Sequence, residues 1–518
     1  MIARSVAALL LLVGAEAFAQ QQGAPGRWAK AGWQYRNVNF ENAGYMGSDM
    51  DTTDTGSSAL TYYGGKNAFR DAFAPARSRG FAVTSERFRN TGRWSLYGNF
   101  RFARYEDFDV RYASSADPYT DNPYQIVDSL SGDWKKQHYL LETKVLSPRI
   151  NRCMRAGIGL KYEVLNGARQ KDPRPLDKTI GIELVPSVIF QVTGRLTIGV
   201  NGYYKRRRED LTISLENHLR SQEVYKLLGL GEYLYNAPVI VSAGISRAYR
   251  GNTFGGGLNL GYDLASFSKL RLGLTWKSSS ENAVDGTSIP FQAGRHAYTD
   301  LGLKMVYQRS AGGNDQSLIL TGGYRDIADT EYIQVLNTAT QQYEIIHSAE
   351  MHHMSKAFAD LGYSVLWNRQ GIPRWILNLE AGMRAWEQRY PGTSGRRSMH
   401  VLSAGAGVSR RVALGRGNLE IDYRVSLRNT LDEQLVYLTK SYARNFAANY
   451  ILMPDHAYHS LAHLGSGADV RYTFPDFGQP FSAYLKAAFS RYQNLGVNEY
   501  YPSKAGNNHL SITVGLFN

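Results

Sequence analysis

The clearest pattern in the chain is the stretch LEIDYRVSLR, residues 419–428, in which apolar and polar side chains alternate without a break. Its apolar row is Leu419, Ile421, Tyr423, Val425 and Leu427, and its polar row is Glu420, Asp422, Arg424, Ser426 and Arg428. Successive side chains of a β-strand point to opposite faces of the sheet. The stretch therefore predicts a strand with one apolar face and one charged face.

The same period of two recurs at residues 93–104 and 154–164, so the pattern is not confined to one segment. It predicts strands of roughly 12 to 18 residues, whereas strands of globular proteins have about five or six. A soluble β-sandwich also alternates, because the apolar rows of its two sheets face a shared core. Strand length and connectivity favour a different architecture.

Short turns and long loops follow each other along the chain. Short turns are predicted at residues 90–92, 147–152, 193–194, 263–268, 310–315, 368–374, 413–417 and 475–479. Long polar connections are predicted at residues 117–132, 214–241, 430–456 and 493–507. Short turns at one end of the strands and long loops at the other are typical of bacterial outer-membrane barrels. A sheet in lipid must also close on itself, because an unpaired backbone donor there is costly.

We therefore predict an all-β fold, a transmembrane antiparallel β-barrel with short periplasmic turns and long extracellular loops. The eight turns imply sixteen strands, and two flanking segments, 27–35 and 509–517, would raise the number to about 18. Apolar rows face lipid in such a barrel, and polar rows line the lumen. Aromatic side chains near strand ends, such as Trp94, Phe190 and Trp375, are expected at the level of the lipid headgroups.

Residues 1–19 have the features of a signal peptide: a basic Arg4, a short apolar core and the small-residue sequence Ala17-Phe18-Ala19. Residues 20–518 are then a single barrel domain. This combination predicts an integral protein of the outer membrane of a Gram-negative bacterium, exported by its signal peptide.

Composition excludes several classes of protein. The single cysteine, Cys153, excludes zinc ribbons and disulfide scaffolds. The chain has 59 Lys and Arg against 45 Asp and Glu, a net charge of +14. We do not expect nucleic acid as a partner despite this charge, because an exported barrel seldom meets it.

Charged residues at inward positions predict a mixed, slightly positive lumen with a weak preference for anions. The predicted lumen-lining residues are Arg101, Arg155, Lys161, Glu163, Lys304, Arg384, Glu420, Asp422, Arg424, Arg428, Asp469, Arg471 and Lys486. A second basic group, Lys205, Arg206, Arg207 and Arg208, is predicted at the outer rim, followed by Glu209 and Asp210. It would attract a negatively charged solute or the phosphates of surface lipid. The alternative is a solvated rim with internal ion pairs.

Two segments are candidates to enter the lumen. Residues 37–78 are long and polar and are predicted as a lumen or cap loop. Residues 216–232 carry leucine and valine at helical spacing, followed by Gly229 as a stop. Alternatively, both are surface loops packed on one another, since loop length alone does not place a loop.

No catalytic or metal site is predicted. His459 and His463 lie four residues apart on a candidate strand, and roughly 13 Å is too far for one metal ion to bridge. The acidic run 49–56 lacks the ligand spacing of a helix-loop-helix calcium site. We expect no enzyme activity and no cofactor.

The loop GARQKDPRP, residues 167–175, the long strands rich in Arg and Tyr, and the terminal Val514-Gly515-Leu516-Phe517 resemble an uncharacterised outer-membrane β-barrel family of Bacteroidota. The resemblance implies a barrel often found beside outer-membrane uptake systems, with no catalytic residues. Expected partners are outer-membrane lipid, the barrel-insertion machinery that reads a terminal strand, and a surface lipoprotein or uptake receptor.

Two functions follow from these patterns. The first is an outer-membrane channel, or barrel component of a nutrient-uptake system, that passes or gates small polar solutes. The second is a plugged structural or binding barrel whose outer loops hold a surface lipoprotein, glycan or lipid.

Overall fold

The structure is a computed structural model that describes most of the chain from residue 40 onwards. The described residues are 40–45, 54–91, 93–151, 153–217, 223–234, 244–286, 288–369, 372–437, 445–475 and 481–517. The predicted signal peptide and the predicted strand 27–35 lie outside these residues.

Eighteen of the described strands form one closed antiparallel barrel, which confirms the predicted fold and the larger strand number. The wall strands are β1 (Thr55–Asn67), β2 (Arg77–Asn90), β3 (Ser95–Ala113), β4 (Ile126–Leu146), β5 (Met154–Arg169), β6 (Arg174–Gln191), β7 (Leu196–Ser214), β10 (Ile245–Ala265), β11 (Ser268–Asp285), β12 (Phe291–Ala311), β13 (Asn314–Asn337), β14 (Gln342–Arg369), β15 (Ile372–Tyr390), β16 (Gly395–Leu414), β17 (Gly417–Val436), β18 (His463–Thr473), β19 (Ser482–Asn494) and β20 (Gly506–Phe517). Two further strands, β8 (Val224–Gly229) and β9 (Glu232–Leu234), lie outside the wall.

Closure occurs between the first and last strands, because Tyr62 of β1 is opposite Phe81 of β2 and Ile512 of β20. The first wall strand is therefore 55–67, within the segment that the sequence assigned to a lumen or cap loop. Its sequence, TGSSALTYYGGKN, has only one long aliphatic side chain, Leu60. The alternation that identifies other strands is consequently weak here.

Apolar side chains cover the outside of the barrel. The predicted apolar row of residues 419–428 faces outward on β17, with Tyr423 52% exposed, and on β20 Val514 is 58% exposed. On the inward face of the neighbouring β18, Asp469 is buried. A continuous apolar outer surface is unfavourable in water and favourable in lipid. A β-sandwich would instead press these rows together in a core.

Two predicted local structures were wrong. Within the segment 216–232, the residues from 224 onwards form the β8–β9 hairpin and not the predicted helix. Strand β8 of this hairpin pairs with β4 at Val127. His459 and His463 do not share a strand. His459 lies on α1 (Met453–Ser460), which continues a π-helix at Ala448–Leu452, and His463 begins β18. In both places leucine, alanine and tyrosine pack against other outer loops, so local spacing did not decide the structure. None of the described helices has the length and apolar character needed to cross a membrane.

Candidate solute pathway

A short inner segment, residues 40–45, lies inside the barrel near its short turns. Phe40 and Tyr45 pack on the inward side chains Ile189 and Val306 of the wall. The Asn42 side-chain amide donates hydrogen bonds to two strand carbonyls. Lys144 Nζ donates to the Phe40 carbonyl at 3.2 Å, and Glu41 forms an ion pair with Lys277. Polar contacts on several strands therefore fix this segment to one side of the lumen.

A second inward element is the connection between β3 and β4, residues 114–125, which we call the inner loop. At its start, the Ala116 amide donates to Asp177 of β6 at 2.7 Å. At its end, the Tyr124 carbonyl accepts hydrogen bonds from Tyr249 at 2.8 Å and from Arg247 at 3.1 Å, both on β10. These contacts hold the two ends of the loop against the wall.

The middle of the inner loop reaches further around the lumen. Asp121 accepts from Arg325 Nη1 at 2.7 Å and also forms an ion pair with Lys356 of β14. The remaining nitrogens of Arg325 form a bidentate contact with Asp300, at 2.5 and 2.8 Å. Asn122 donates to Glu281 of β11 at 2.8 Å. The loop is thus tied to strands from β6 to β14, and a cavity of ≈ 660 Å³ separates it from the wall below.

Behind the inner loop, a buried carboxylate joins two histidines. Asp329 lies within 2.6 Å of His296 Nδ1 through one oxygen and within 2.6 Å of His352 Nδ1 through the other. All three side chains are buried. His352 Nε2 has no partner among the described residues. The array links β12, β13 and β14 at a position four residues along the strands from Arg325 and Lys356, which hold Asp121.

An outer vestibule of ≈ 550 Å³ lies between the inner loop, the β8–β9 hairpin and α1. Its apolar lining includes Leu230, Trp386 and Leu452. Arg397 also lines it and donates to Asp455 of α1 at 2.9 Å. The other two donor nitrogens, Nε and Nη2, are buried without a partner in the described part of the chain. Buried guanidinium donors of this kind favour an anionic group as ligand.

Burial and the charge of Arg397 set the ionisation of three side chains on α1, Asp455, His456 and His459. Burial opposes ionisation of Asp455, but Arg397 and His459 outweigh it and hold the pKa of the carboxyl below its usual value. Burial lowers the pKa of His456 and of His459 to about 4 each. Both histidines are therefore neutral near pH 7, so the ionised carboxylate of Asp455 offsets the charge of Arg397 and the histidines add none.

The opposite side of the lumen is open. A cavity of ≈ 910 Å³ runs along β15 to β20 and β1. Small inward residues line it, including Gly405, Gly407, Ser426, Gly465, Gly467 and Ser490. We call this the open side, β15–β20 with β1–β3, and we call β4–β7 with β10–β14 the occupied side.

Most of the predicted lumen residues lie on inward faces and take part in polar contacts there. On the open side, Asp469 binds both Arg424 and Lys486, and Glu420 binds Arg471 and Arg411. Two others form ion pairs, Lys161 with Glu163 and Arg384 with Asp360, and Asp422 is opposite Asp469 in the strand register. Arg155 donates to the Ser147 carbonyl, Lys304 lies over the Phe40 ring, and Arg428 contacts His459 and His463. Arg101 lies on the inward face of β3.

The predicted rim cluster is not a single group. Because side chains alternate along β7, Lys205 and Arg207 point into the lumen, whereas Arg206 and Arg208 point outward. Arg207 is paired with Glu209 and Glu281. The four residues also lie within the wall strand and not in a loop above it.

The inner loop was missed by sequence reasoning. Asp121 is 204 residues from Arg325 and 235 residues from Lys356 in the chain. The sequence shows 117–132 only as a long polar connection. Its one local hint is Asp121-Asn122-Pro123, which predicts a turn and says nothing of its direction.

Comparison with known proteins gave one family and several solved structures. Residues 43–518 match the model of a family described as "family of unknown function (DUF6850)". No curated protein matches the sequence. Solved structures with a similar shape include BauA, the ferric preacinetobactin receptor from Acinetobacter baumannii, at 10% identity and a TM-score of 0.40, covering 90% of this chain and 80% of that chain.

Two other solved structures give similar values. The RagAB peptide importer in its closed-closed state has 7% identity and a TM-score of 0.40, covering 90% of this chain and 87% of that chain. The copper transporter OprC has 8% identity and a TM-score of 0.40, covering 89% and 80%. At these TM-scores the likeness carries no information on solute or partner.

Proposed function

The chain belongs to a family of unknown function (DUF6850), and from the geometry of its lumen we propose that it is an outer-membrane channel for small polar solutes. The solute would pass along the open side, and the inner loop would restrict the rest of the lumen. We place the channel within nutrient uptake, with no catalytic role. The terminal strand β20 would be read by the barrel-insertion machinery, and a surface lipoprotein or uptake receptor would act as partner at the long loops.

The open side is the observation that carries this proposal. Its inward residues are small, and a cavity of ≈ 910 Å³ lies along them. Arg424, Asp469 and Lys486 beside it are held in ion pairs, so these side chains do not collapse across the space. A polar wall with fixed charges suits a hydrated solute, because hydrogen-bonding groups are presented without an apolar barrier.

Two ion-pair groups of the open side support a weak preference for anions. Each consists of two cations around one carboxylate: Arg424 and Lys486 with Asp469, and Arg411 and Arg471 with Glu420. Asp422 lies between the two groups, directly opposite Asp469, so the four cations face three carboxylates and one positive charge remains. The unpartnered donors of Arg397 in the outer vestibule add to the same preference. Because the carboxylates neutralise most of the positive charge, we expect only a modest preference for anions.

Conductance of the purified, folded barrel in planar bilayers tests the proposal. We expect stable unitary steps and a reversal potential, under a salt gradient, that is slightly displaced toward anions. Asp121→Asn should increase conductance fluctuations and displace the reversal potential further toward anions, because it releases the inner loop and uncovers Arg325 and Lys356.

The matched control is Asp117→Asn on the same loop. Asp117 accepts a hydrogen bond from the Tyr119 amide within the loop itself. We therefore expect the conductance of the Asp117→Asn variant to equal that of the parent protein. A folded barrel that never conducts contradicts the channel. Such silence would favour the second function, a binding barrel, for which the inner segment and inner loop act as a plug and the outer vestibule holds the ligand.

A further inference from the structure

Four basic side chains form a patch on the outer surface of the barrel, which we call the outward basic patch. They are Lys178 of β6, Arg206 and Arg208 of β7, and Arg250 of β10. In the strand register Arg208 is directly opposite Arg250, and Lys178 is directly opposite Asp210. The four residues therefore lie side by side on three neighbouring strands.

The patch is poorly neutralised. At the described outward positions of β5, β6, β7, β10 and β11, Asp210 is the only carboxylate. It accepts from Arg208 at 2.8 Å and also from Arg250. Four cations and one carboxylate leave a net charge of +3. Two arginines directly opposite each other on a sheet repel, so this arrangement favours a further anion between them.

The patch lies at the upper edge of the lipid-facing belt. Below it on the same face, Tyr204 packs against Phe254 with ring centroids 5.1 Å apart, and Leu184 is opposite Tyr204. Arg206 is ten residues from Leu196, the start of its strand at the short-turn end. Ten residues at about 3.3 Å each, tilted by roughly 40°, rise about 25 Å, which is the height of the apolar band in such barrels.

We propose that the outward basic patch binds the phosphate groups of a phosphorylated glycolipid in the outer leaflet of the membrane. Guanidinium groups match phosphate in geometry and charge, and the aromatic pair beneath them suits the headgroup level. The lipid chains would then lie along the apolar column of β6, β7 and β10. This inference rests on the proposed outer-membrane location, with the long loops at the outer surface.

Binding of a defined lipid to the full-length barrel in a neutral maltoside detergent tests the site. The probe is an acylated disaccharide lipid carrying two phosphates, and the bound fraction is measured by native mass spectrometry. We expect Arg206→Gln with Arg208→Gln to weaken binding about 25-fold, since each basic residue at a membrane surface contributes about fivefold. The single variant Lys178→Gln should weaken binding about fivefold and guards against misfolding of the double variant.

The matched control is Arg309→Gln. Arg309 is also exposed and lipid-facing, but it lies at the short-turn end, beside Phe267. Equal loss from Arg309→Gln would overturn the site, as would equal binding of the same lipid without its phosphates. Inorganic phosphate alone should not displace the lipid at equal concentration, and displacement would overturn the lipid as occupant. Conductance in zwitterionic lipid is measured separately, so loss of the channel and loss of this site are distinguishable.

Discussion

The two sides of the lumen use the same residue types under opposite conditions. On the occupied side, Arg247 binds Asp285 through two hydrogen bonds and its side chain is 1% exposed. On the open side, Arg424 binds Asp469 at 2.9 Å and its side chain is 66% exposed. The first pair is enclosed by the inner loop, and the second borders water. A charged residue on the inward face is therefore structural or solvated according to what fills the lumen beside it.

Glycines show the same contrast. A Cβ added at Gly294 on the occupied side would lie 2.4 Å from the Tyr124 ring of the inner loop. A Cβ added at Gly405 on the open side would meet nothing nearer than the Val425 carbonyl at 3.4 Å, an ordinary contact. The occupied side has no room between wall and loop at this point, whereas the open side has room for a larger side chain.

The largest expected difference between the sides comes from the two arginines. Arg247→Gln should lower the free energy of unfolding by about 3–5 kcal/mol, because it leaves a buried carboxylate with less compensation and removes a donor to the inner loop. Arg424→Gln should cost about 0–1 kcal/mol, since the Arg424 side chain is exposed to water and Lys486 still pairs with Asp469. Urea unfolding in lipid vesicles measures both. Equal losses would show that the two sides are not different environments.

The open side and the occupied side are expected to differ only on their inward faces. Ile421→Arg on the open side and Val200→Arg on the occupied side should then impair insertion equally, by about 2–4 kcal/mol, because each lies four residues from the short-turn end of its strand and places a charge in lipid near the midplane. Asp422→Arg, one residue away but inward, should leave insertion unchanged. Heat-modifiable mobility on gels reports insertion. If Ile421→Arg inserted as well as Asp422→Arg, the assignment of lipid and lumen faces would be wrong.

The smallest expected effect comes from the glycine pair. Gly294→Ala should cost about 1–3 kcal/mol through overpacking against Tyr124 and should displace the inner loop. Gly405→Ala should change stability by no more than about 0.5 kcal/mol, because its new methyl group fits. Unfolding in vesicles and single-channel recordings measure the two consequences together. A loss at Gly405 as large as that at Gly294 would mean that the open side is filled.

Much of the wall could be predicted from sequence because strand alternation is local. Tyr423 and Asp422 are neighbours in the chain and face opposite sides of the wall, as their period of two predicts. The eight short turns gave sixteen strands, and the last strand was recognised from its own alternation. The first strand was misplaced because only Leu60 and the tyrosines mark its faces. The same period of two places Arg206 and Arg207 on opposite faces of β7, so the predicted rim group also conflicts with the local pattern.

The sequence by itself determined which side chains meet lipid and which meet the lumen, because that choice depends only on the position of each residue along its own strand. Tertiary structure alone decided which loop turns inward and which charges become buried. Asp121 meets Arg325 and Lys356 only after the barrel has closed and brought β13 and β14 around to the inner loop. Contacts between residues more than 200 positions apart depend on that closure, and no local pattern encodes them.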